Sequence, residues 1–102
     1  MTIRLEAKSK QNAVEIPEAY LCVITQEIMI KPVICTLDGR TYEDSSIREW
    51  LGKHGTSPVN RTRMKPNQTL DDILIDNRNL EDAIEIFRKE NPQLFIKNAL
   101  NM

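Results

Sequence analysis

The side chains best suited to covalent or metal chemistry are few in this sequence: Cys22, Cys35 and a single histidine, His54. A structural zinc site usually takes four cysteine or histidine ligands, so these three residues do not suffice. Both cysteines lie in apolar stretches without a neighbouring base. This favours buried thiols over nucleophiles, although a disulfide between them stays open. We therefore expect no metal, no cofactor and no covalent intermediate, and we expect His54 to be an exposed loop residue.

The polar stretch 52–67 is a stronger functional candidate. Gly55, Pro58 and Pro66 interrupt it and predict a long loop. A compact domain of this size seldom keeps such a loop without a use for it. Judged by residue type alone, Arg61 in this loop is a solvated surface charge.

A β-hairpin and a helix are predicted to hold this loop. Residues 32–35 are apolar and partly β-branched, which predicts a strand paired with residues 40–42. Between them Asp38-Gly39 supplies the positive φ of a tight turn. The helix follows, with Ile47, Trp50 and Leu51 on one face, a capping box formed by Ser46 and Glu49, and Gly52 at its end.

A second helix is predicted to begin at Asn77 or Asn79 as its N-cap. Its apolar residues recur at helical spacing and are expected to face the core first and a dimer partner, through residues 77–100, second. These residues are Leu80, Ala83, Ile84 and Phe87. Asn91-Pro92 is predicted to end this helix and to open a C-terminal helical extension over 91–102.

Length and charge limit the function classes. The 102 residues have room for one domain, which we place at 16–90, after a flexible or weakly helical lead-in at 1–15. A net charge of -1 without a basic cluster argues against nucleic-acid binding. No apolar run reaches the roughly 20 residues of a membrane span, and the N-terminus lacks a secretory h-region. We therefore expect a cytoplasmic protein that binds neither nucleic acid nor membrane.

The order of these features resembles the U-box domain of ubiquitin ligases. The resemblance spans about residues 16 to 88, and its specificity lies in the order and spacing of many short matches. The matching residues are Ile16-Pro17, Leu21-Cys22, Ile24-Thr25, Glu27-Ile28-Met29, Pro32-Val33, Gly39, Thr41-Tyr42, Ile47, Trp50-Leu51, Pro58-Val59, Arg61, Asn77, Leu80 and Ile84.

The resemblance implies a small α+β, RING-like fold without zinc. Two pinned loops, a short β-hairpin, a central helix and a C-terminal helix would form it. It also implies a ubiquitin-protein ligase that docks a ubiquitin-conjugating enzyme charged with ubiquitin and promotes transfer to a substrate lysine. No covalent intermediate forms on a U-box, so the chemistry is positioning of the thioester.

In the family, the conjugating enzyme docks in a shallow groove between the two loops and the central helix. Carried over by position, Ile24 is the apolar anchor of the first loop, and Pro58 with Val59 forms the wall of the second. Trp50 flanks the groove from the helix. Gln26 stands where the family often has an apolar or aromatic contact residue, which predicts docking that is weaker or tuned to a particular enzyme.

The resemblance gives Arg61 the central role. It takes the place of the basic residue that hydrogen-bonds across the conjugating enzyme and ubiquitin and holds the thioester in a reactive pose, for which a planar guanidinium is suited. Structural roles fall to Glu27, Tyr42 and Asn77, the last as a helix cap.

Several alternatives stay open from the sequence. Ile24 and Trp50 could be core residues, and the domain could be a non-catalytic interaction or dimerisation module that keeps the fold. U-boxes also occur in bacterial effectors that act in the host cytoplasm, and the frequent Ile, Asn and Lys would suit an AT-rich genome. The protein substrate is not visible in the sequence.

Overall fold

A computed structural model of the chain describes residues 2–5 and 14–92. Five strands, three α-helices and one 3-10 turn follow one another in this part of the chain. They are β1 (Thr2–Leu5), β2 (Val14–Pro17), the 3-10 turn (Glu18–Tyr20), β3 (Pro32–Cys35), β4 (Arg40–Glu43), α1 (Asp44–His54), α2 (Leu70–Ile73), β5 (Leu74–Asp76) and α3 (Arg78–Glu90). None of the helices within these described ranges has the length and apolar character that crossing a membrane would require.

A three-stranded antiparallel sheet in the order β4-β3-β5 forms the centre of the fold. The hairpin predicted from the sequence is confirmed: Val33 pairs with Tyr42, and Gly39 adopts a φ of 73° in the turn. The predicted α+β class, with a central and a C-terminal helix, is confirmed as well. Val33 and Tyr42 are fully buried and join the two strands to the core.

The core is one cluster to which the sheet, the three α-helices and the segment before β3 all contribute. Its buried members are Cys22, Met29, Val33, Cys35, Tyr42, Ile47, Leu51, Ile73, Leu74 and Ile84. Both cysteines are free and buried, so they behave as small apolar residues rather than as a disulfide.

The lead-in at 1–15 was expected to be flexible or weakly helical, and its described residues correct that expectation. β1 pairs antiparallel with β2, with Ile3 opposite Ile16. Strands of four residues are too short to show a clear period in the sequence. Eight residues separate β1 from β2, so the local pattern of each strand does not reveal its pairing partner.

Helix α1 begins and ends differently from the prediction. It starts at Asp44 after Glu43, which makes no side-chain cap bond, so the capping box expected from Ser46 and Glu49 does not start the helix. It also runs past Gly52 and ends at Gly55, whose φ of 68° places it in the left-handed region. A C-cap glycine is defined by that conformation, and Gly52, inside the helix, does not have it.

Helix α3 begins where predicted. The Asn77 side chain accepts a hydrogen bond from the Leu80 N–H at 3.2 Å, which is an N-cap bond. Its amide also donates to Thr41 Oγ1 at 3.2 Å and so joins the helix start to β4. Ile84 is the buried member of the predicted apolar stripe. Of the predicted extension at 91–102, residues 93–102 lie outside the described part of the chain.

Metal removal should leave this fold intact. Within the described residues, no group of three or more His, Cys, Asp or Glu side chains is arranged to hold a metal ion. Folding that depends on a structural metal is lost with a chelator. We expect the thermal unfolding midpoint to be the same with and without EDTA, and a large drop on adding EDTA would contradict this account of the core.

Candidate functional site

Two surface loops of this protein share one backbone geometry. We call residues 22–27 loop 1 and residues 57–62 loop 2. In each loop the N–H of the fifth residue donates to the carbonyl of the first: Gln26 to Cys22 at 2.7 Å, and Arg61 to Ser57 at 3.1 Å. The N–H of the first residue donates to the carbonyl of the sixth, at 3.0 Å in loop 1 and 2.9 Å in loop 2.

The fifth residue of both loops has a left-handed backbone. Gln26 has a φ of 61° and Arg61 a φ of 62°, and they are the two non-glycine residues with positive φ in the described part of the chain. This conformation is uncommon for residues with a Cβ and persists only where surrounding bonds hold it. The third residues, Ile24 and Val59, are apolar and occupy equivalent positions on the two loops.

Glu43, the last residue of β4, fixes loop 1 to the sheet through hydrogen bonds. The Glu43 N–H donates to the thiol sulfur of Cys22 at 3.3 Å. The Glu43 carboxylate accepts the N–H groups of Ile30 at 2.7 Å and Lys31 at 2.8 Å, just after the loop. One residue of the sheet thus fixes the chain on both sides of loop 1, and this also explains why the Glu43 side chain does not cap α1.

Loop 2 is held by Ser57, which is fully buried. Its hydroxyl oxygen accepts the N–H groups of Val59 at 3.0 Å and Asn60 at 3.1 Å, and the hydroxyl donates to Asp38 Oδ2 at 2.5 Å. The Asn60 side chain adds a bond from its amide to the Leu37 carbonyl at 3.4 Å. Loop 2 is therefore fastened to the turn of the β-hairpin.

Asp38 also accepts the hydroxyl of Tyr42, at 2.5 Å. Burial raises the pKa of the Tyr42 phenol well above its usual range, and the hydrogen bond to Asp38 and the charge of that carboxylate raise it further. Tyr42, predicted to be structural, therefore stays neutral in the folded protein.

This shift predicts a loss of stability in alkali. Because the pKa of Tyr42 is higher in the folded state, the unfolded tyrosine ionises first, near its ordinary value of about 10. The contribution of Tyr42 to the free energy of unfolding should be fully present below that pH and should be lost as the pH rises above it. Urea unfolding at a series of pH values measures this.

Tyr42→Phe is the control for the alkaline effect. At pH 7 it should lower the free energy of unfolding by about 1.5 to 3 kcal/mol, because a bond to a charged acceptor is lost. Above pH about 10 the difference between the two proteins should shrink, because only the parent carries the shifted phenol. A difference that stays constant across this pH range would contradict the assignment.

Trp50 lies on α1 beside the start of loop 2. Its indole N–H donates to the Thr56 carbonyl at 3.0 Å, and its ring lies 4.3 Å from that of His54, measured between centroids. The ring is half-buried and packs against the core. His54 is exposed, as expected, although it belongs to α1 rather than to a loop. Trp50 therefore packs and also flanks loop 2.

The predicted contact residues are not equally exposed. Ile24 and Pro58 are half-buried, whereas Val59 is 43% exposed. Ile24 also packs against the core, so the core and surface interpretations both apply to it. Arg61 is exposed at the end of loop 2.

Gln26 lies apart from the other predicted contact residues. Its side-chain amide folds back onto loop 1 and donates to the Val23 carbonyl at 3.1 Å. Gln26 and Val23 line a groove of about 950 Å³ that also includes Arg40 and Leu80. None of the other five predicted contact residues lines that groove. The side chain of Glu27, predicted to be structural, is exposed. Its contribution to loop 1 comes from its backbone, whose carbonyl accepts the Cys22 N–H and whose N–H donates to Thr25 Oγ1 at 3.2 Å.

Sequence reasoning missed the three residues that shape the loops: Asp38, Glu43 and Ser57. Asp38 was assigned only to the turn, and Ser57 only to a polar loop. The sequence offers no specific signal for Ser57, because its equivalence to Cys22 is visible only in the backbone hydrogen bonds of the two loops. Nothing local marks Glu43, whose acceptor role depends on residues 12 and 13 positions away.

Comparison with known proteins gives consistent matches. The sequence model of the U-box domain family matches residues 16–93. U-box domain-containing protein 32 of Arabidopsis thaliana is 43% identical over 75 residues, which cover 72% of this chain and 9% of that protein. A protein of Acanthamoeba polyphaga mimivirus, described as a probable bifunctional E2/E3 enzyme, is 32% identical over 93 residues, covering 87% of this chain and 7% of that protein.

A solved structure agrees on the fold. The RING finger-like domain of Retinoblastoma Binding Protein-6 matches with a TM-score of 0.64 and 32% identity, over 76% of this chain and 82% of that one. The predicted RING-like fold is therefore confirmed. The chain spans less than a fifth of the length of the curated relatives it matches. The comparisons give no support to the bacterial-effector alternative.

Proposed function

Because the chain belongs to the U-box family, whose domains are typical of E3 ubiquitin ligases, we propose that it docks a ubiquitin-conjugating enzyme charged with ubiquitin. It then promotes transfer of ubiquitin to a lysine of a protein substrate. The domain itself forms no bond to ubiquitin. This fits its two cysteines, which are buried and free and therefore poorly placed to act as nucleophiles.

The observation that carries the proposal is the shared geometry of the two loops. Each loop presents an apolar third residue, Ile24 or Val59, on a backbone held by the same two hydrogen bonds. Rigid loops of this kind bind with little loss of conformational entropy, because their bound shape is already formed. Two such loops with apolar tips suit a shallow, two-point contact with another protein.

The docking surface that we propose consists of Ile24, Trp50, Pro58 and Val59. Trp50 is bonded to Thr56, immediately before loop 2, so the aromatic ring and Pro58 belong to one fixed unit. Aromatic and aliphatic anchors of this type carry most of the energy in protein interfaces. Gln26 belongs to loop 1 but lines the neighbouring groove rather than this surface, and we propose that it influences which conjugating enzyme is accepted.

Arg61 is proposed to act on the thioester rather than on docking. Arg61 is exposed at the end of loop 2, and its guanidinium carries five hydrogen-bond donors in a planar arrangement. Bridging between the conjugating enzyme and ubiquitin would restrict a flexible thioester tail to geometries open to attack by lysine.

Mapping by NMR tests the proposed surface. The isotope-labelled chain is titrated with a conjugating enzyme joined to ubiquitin by a stable oxyester. We expect the largest shifts of backbone amide signals in loop 1, the second half of α1 and loop 2. Shifts confined to the groove lined by Val23, Arg40 and Leu80, or no shifts with any enzyme of a broad panel, would contradict the proposal.

A second candidate is a non-catalytic interaction or dimerisation module. Ile86, which is 58% exposed on α3, is the observation that favours self-association. Light scattering of the chain at high concentration distinguishes the two: a strict monomer removes the dimerisation candidate. Binding of the charged enzyme without faster discharge would instead support a non-catalytic module.

A further inference from the structure

The carboxylate of Asp38 receives three donors, two from β4 and one from loop 2. Its Oδ1 accepts the N–H of Arg40, the first residue of β4, at 2.8 Å. Its Oδ2 accepts the hydroxyls of Tyr42 on β4 and Ser57 on loop 2, each at 2.5 Å. All three partners donate, so the position requires a group that only accepts, and an ionised carboxylate is the side chain with that property.

The bond to Asp38 determines the orientation of the Ser57 hydroxyl. A hydroxyl has one hydrogen and two lone pairs. At Ser57 the hydrogen goes to Asp38, and the oxygen accepts the amides of Val59 and Asn60. Every bonding position of this buried hydroxyl is therefore in use, and the acceptor that orients it is Asp38.

Arg61 directly follows Asn60 in loop 2. Its φ of 62° is unfavourable for an arginine, so the bonds of loop 2 must hold it. The amides of the two preceding residues are bonded to the Ser57 hydroxyl, and the Arg61 amide is bonded to the Ser57 carbonyl at 3.1 Å. A continuous series of hydrogen bonds thus runs from Asp38 through Ser57 to the backbone that carries the Arg61 guanidinium.

We infer that Asp38 is a positioning residue for ubiquitin transfer, acting through Ser57 to hold Arg61 in its left-handed conformation. The inference rests on the proposed function, because Arg61 has a task only if the domain activates a charged conjugating enzyme. The role inferred for Asp38 is separate from docking of the conjugating enzyme. The surface proposed to bind the enzyme contains Ile24 and Trp50, and neither is bonded to Asp38 in the described residues.

Asp38→Asn is the variant that tests the inference. Asparagine has nearly the same shape as aspartate, but its amide replaces one accepting oxygen with a donating NH₂ group. If the amide oxygen faces the two hydroxyls, its NH₂ faces the N–H of Arg40. In the reverse orientation the NH₂ faces hydroxyls that already donate. In both orientations the new NH₂ group faces another hydrogen-bond donor, so the direction of the Ser57 hydroxyl is no longer fixed. Loop 2 should then sample other conformations.

We expect Asp38→Asn to lower the rate of ubiquitin discharge at saturating conjugating enzyme about tenfold, with the Kd for the enzyme nearly unchanged. In an Arg61→Ala background the same substitution should lower the rate no further, because the two residues act as one unit. Amide hydrogen exchange supplies a readout independent of activity: the amides of Val59, Asn60 and Arg61 should exchange faster in Asp38→Asn.

Two controls separate positioning from general loss of stability. Tyr42→Phe removes a different bond of the same carboxylate, so it should destabilise the fold yet leave discharge by the folded protein unchanged. Asp82→Asn changes an exposed carboxylate on α3 and should have no effect. If Asp38→Asn does not fold, Ser57→Ala interrupts the same series of bonds and should show the same dependence on Arg61.

The outcomes distinguish failure of this inference from failure of the proposed function. If the parent chain discharges no conjugating enzyme, the proposed function fails. If the parent is active and Asp38→Asn matches it in rate and in loop 2 exchange, the inference is overturned. The inference is also overturned if Asp38→Asn lowers the rate equally with and without Arg61, since Asp38 would then act on the fold as a whole.

Discussion

Replacing Ile24 with alanine is expected to reduce discharge of the charged conjugating enzyme about 100-fold at concentrations below the Kd, because docking is lost. Central apolar anchors of interfaces cost about 2 to 4 kcal/mol when truncated to alanine, which corresponds to this range. Ile24 is half-buried, so its inner part packs on the core while its outer part is available to a partner. Calorimetric titration of the charged enzyme measures the effect on binding directly.

Val23→Ala is the matched control for Ile24. Val23 is the neighbouring residue of the same loop and is 48% exposed, but it lines the groove beside Arg40 and Leu80 instead. It should bind and discharge the enzyme like the parent. If Ile24→Ala is folded and binds with the parent's Kd, Ile24 is only a core residue and the proposed docking surface is wrong.

Replacing Arg61 with alanine is expected to slow discharge at saturating enzyme about 100-fold, while the Kd changes little. Preorganised donors that act in the transition state typically contribute 10²- to 10³-fold in rate. Arg61 should behave in this way if, as we propose, it bridges the reacting partners and adds little apolar contact. Arg61→Lys should fall between the parent and Arg61→Ala, since an ammonium keeps the charge but loses the planar pair of donors.

Arg63→Ala is the matched control for Arg61. Arg63 is an exposed arginine two residues further along the chain, and its backbone forms a β-bridge with Thr56. Its removal changes the net charge by the same amount as Arg61→Ala. Equal losses of rate in the two variants would mean that loop 2 attracts the enzyme by charge in general, and the positioning role of Arg61 would be contradicted.

Local patterns in the sequence predicted the elements that local forces determine. The turn at Gly39 and the N-cap at Asn77 were found because a left-handed glycine and a capping amide act within a few residues of themselves. The predicted ends of α1 were wrong. The capping box expected at Ser46 does not start the helix because β4 leads directly into it. Gly55 rather than Gly52 ends the helix, because Gly55 has the left-handed cap conformation and Gly52 does not.

The same difference between local and long-range interactions applies to the candidate site. Residue type suggested that the stretch containing Pro58 and Arg61 has a function, and the resemblance supplied the specific roles. Asp38 and Ser57 escaped notice because their bond joins residues 19 positions apart, and each also has an ordinary local explanation. The shared backbone geometry of the loops was hidden as well, since residues 22–27 and 57–62 have no identical residue at any equivalent position.

A single-turnover discharge assay shows whether this chain activates a charged conjugating enzyme. A conjugating enzyme already charged with ubiquitin is mixed with free lysine, with and without this chain, and loss of the thioester is followed over time. We expect the chain to accelerate discharge of at least one enzyme in a broad panel, and we expect Ile24→Ala and Arg61→Ala to remove this acceleration. Discharge at the same rate with and without the chain, for every enzyme in the panel, would contradict the proposed function.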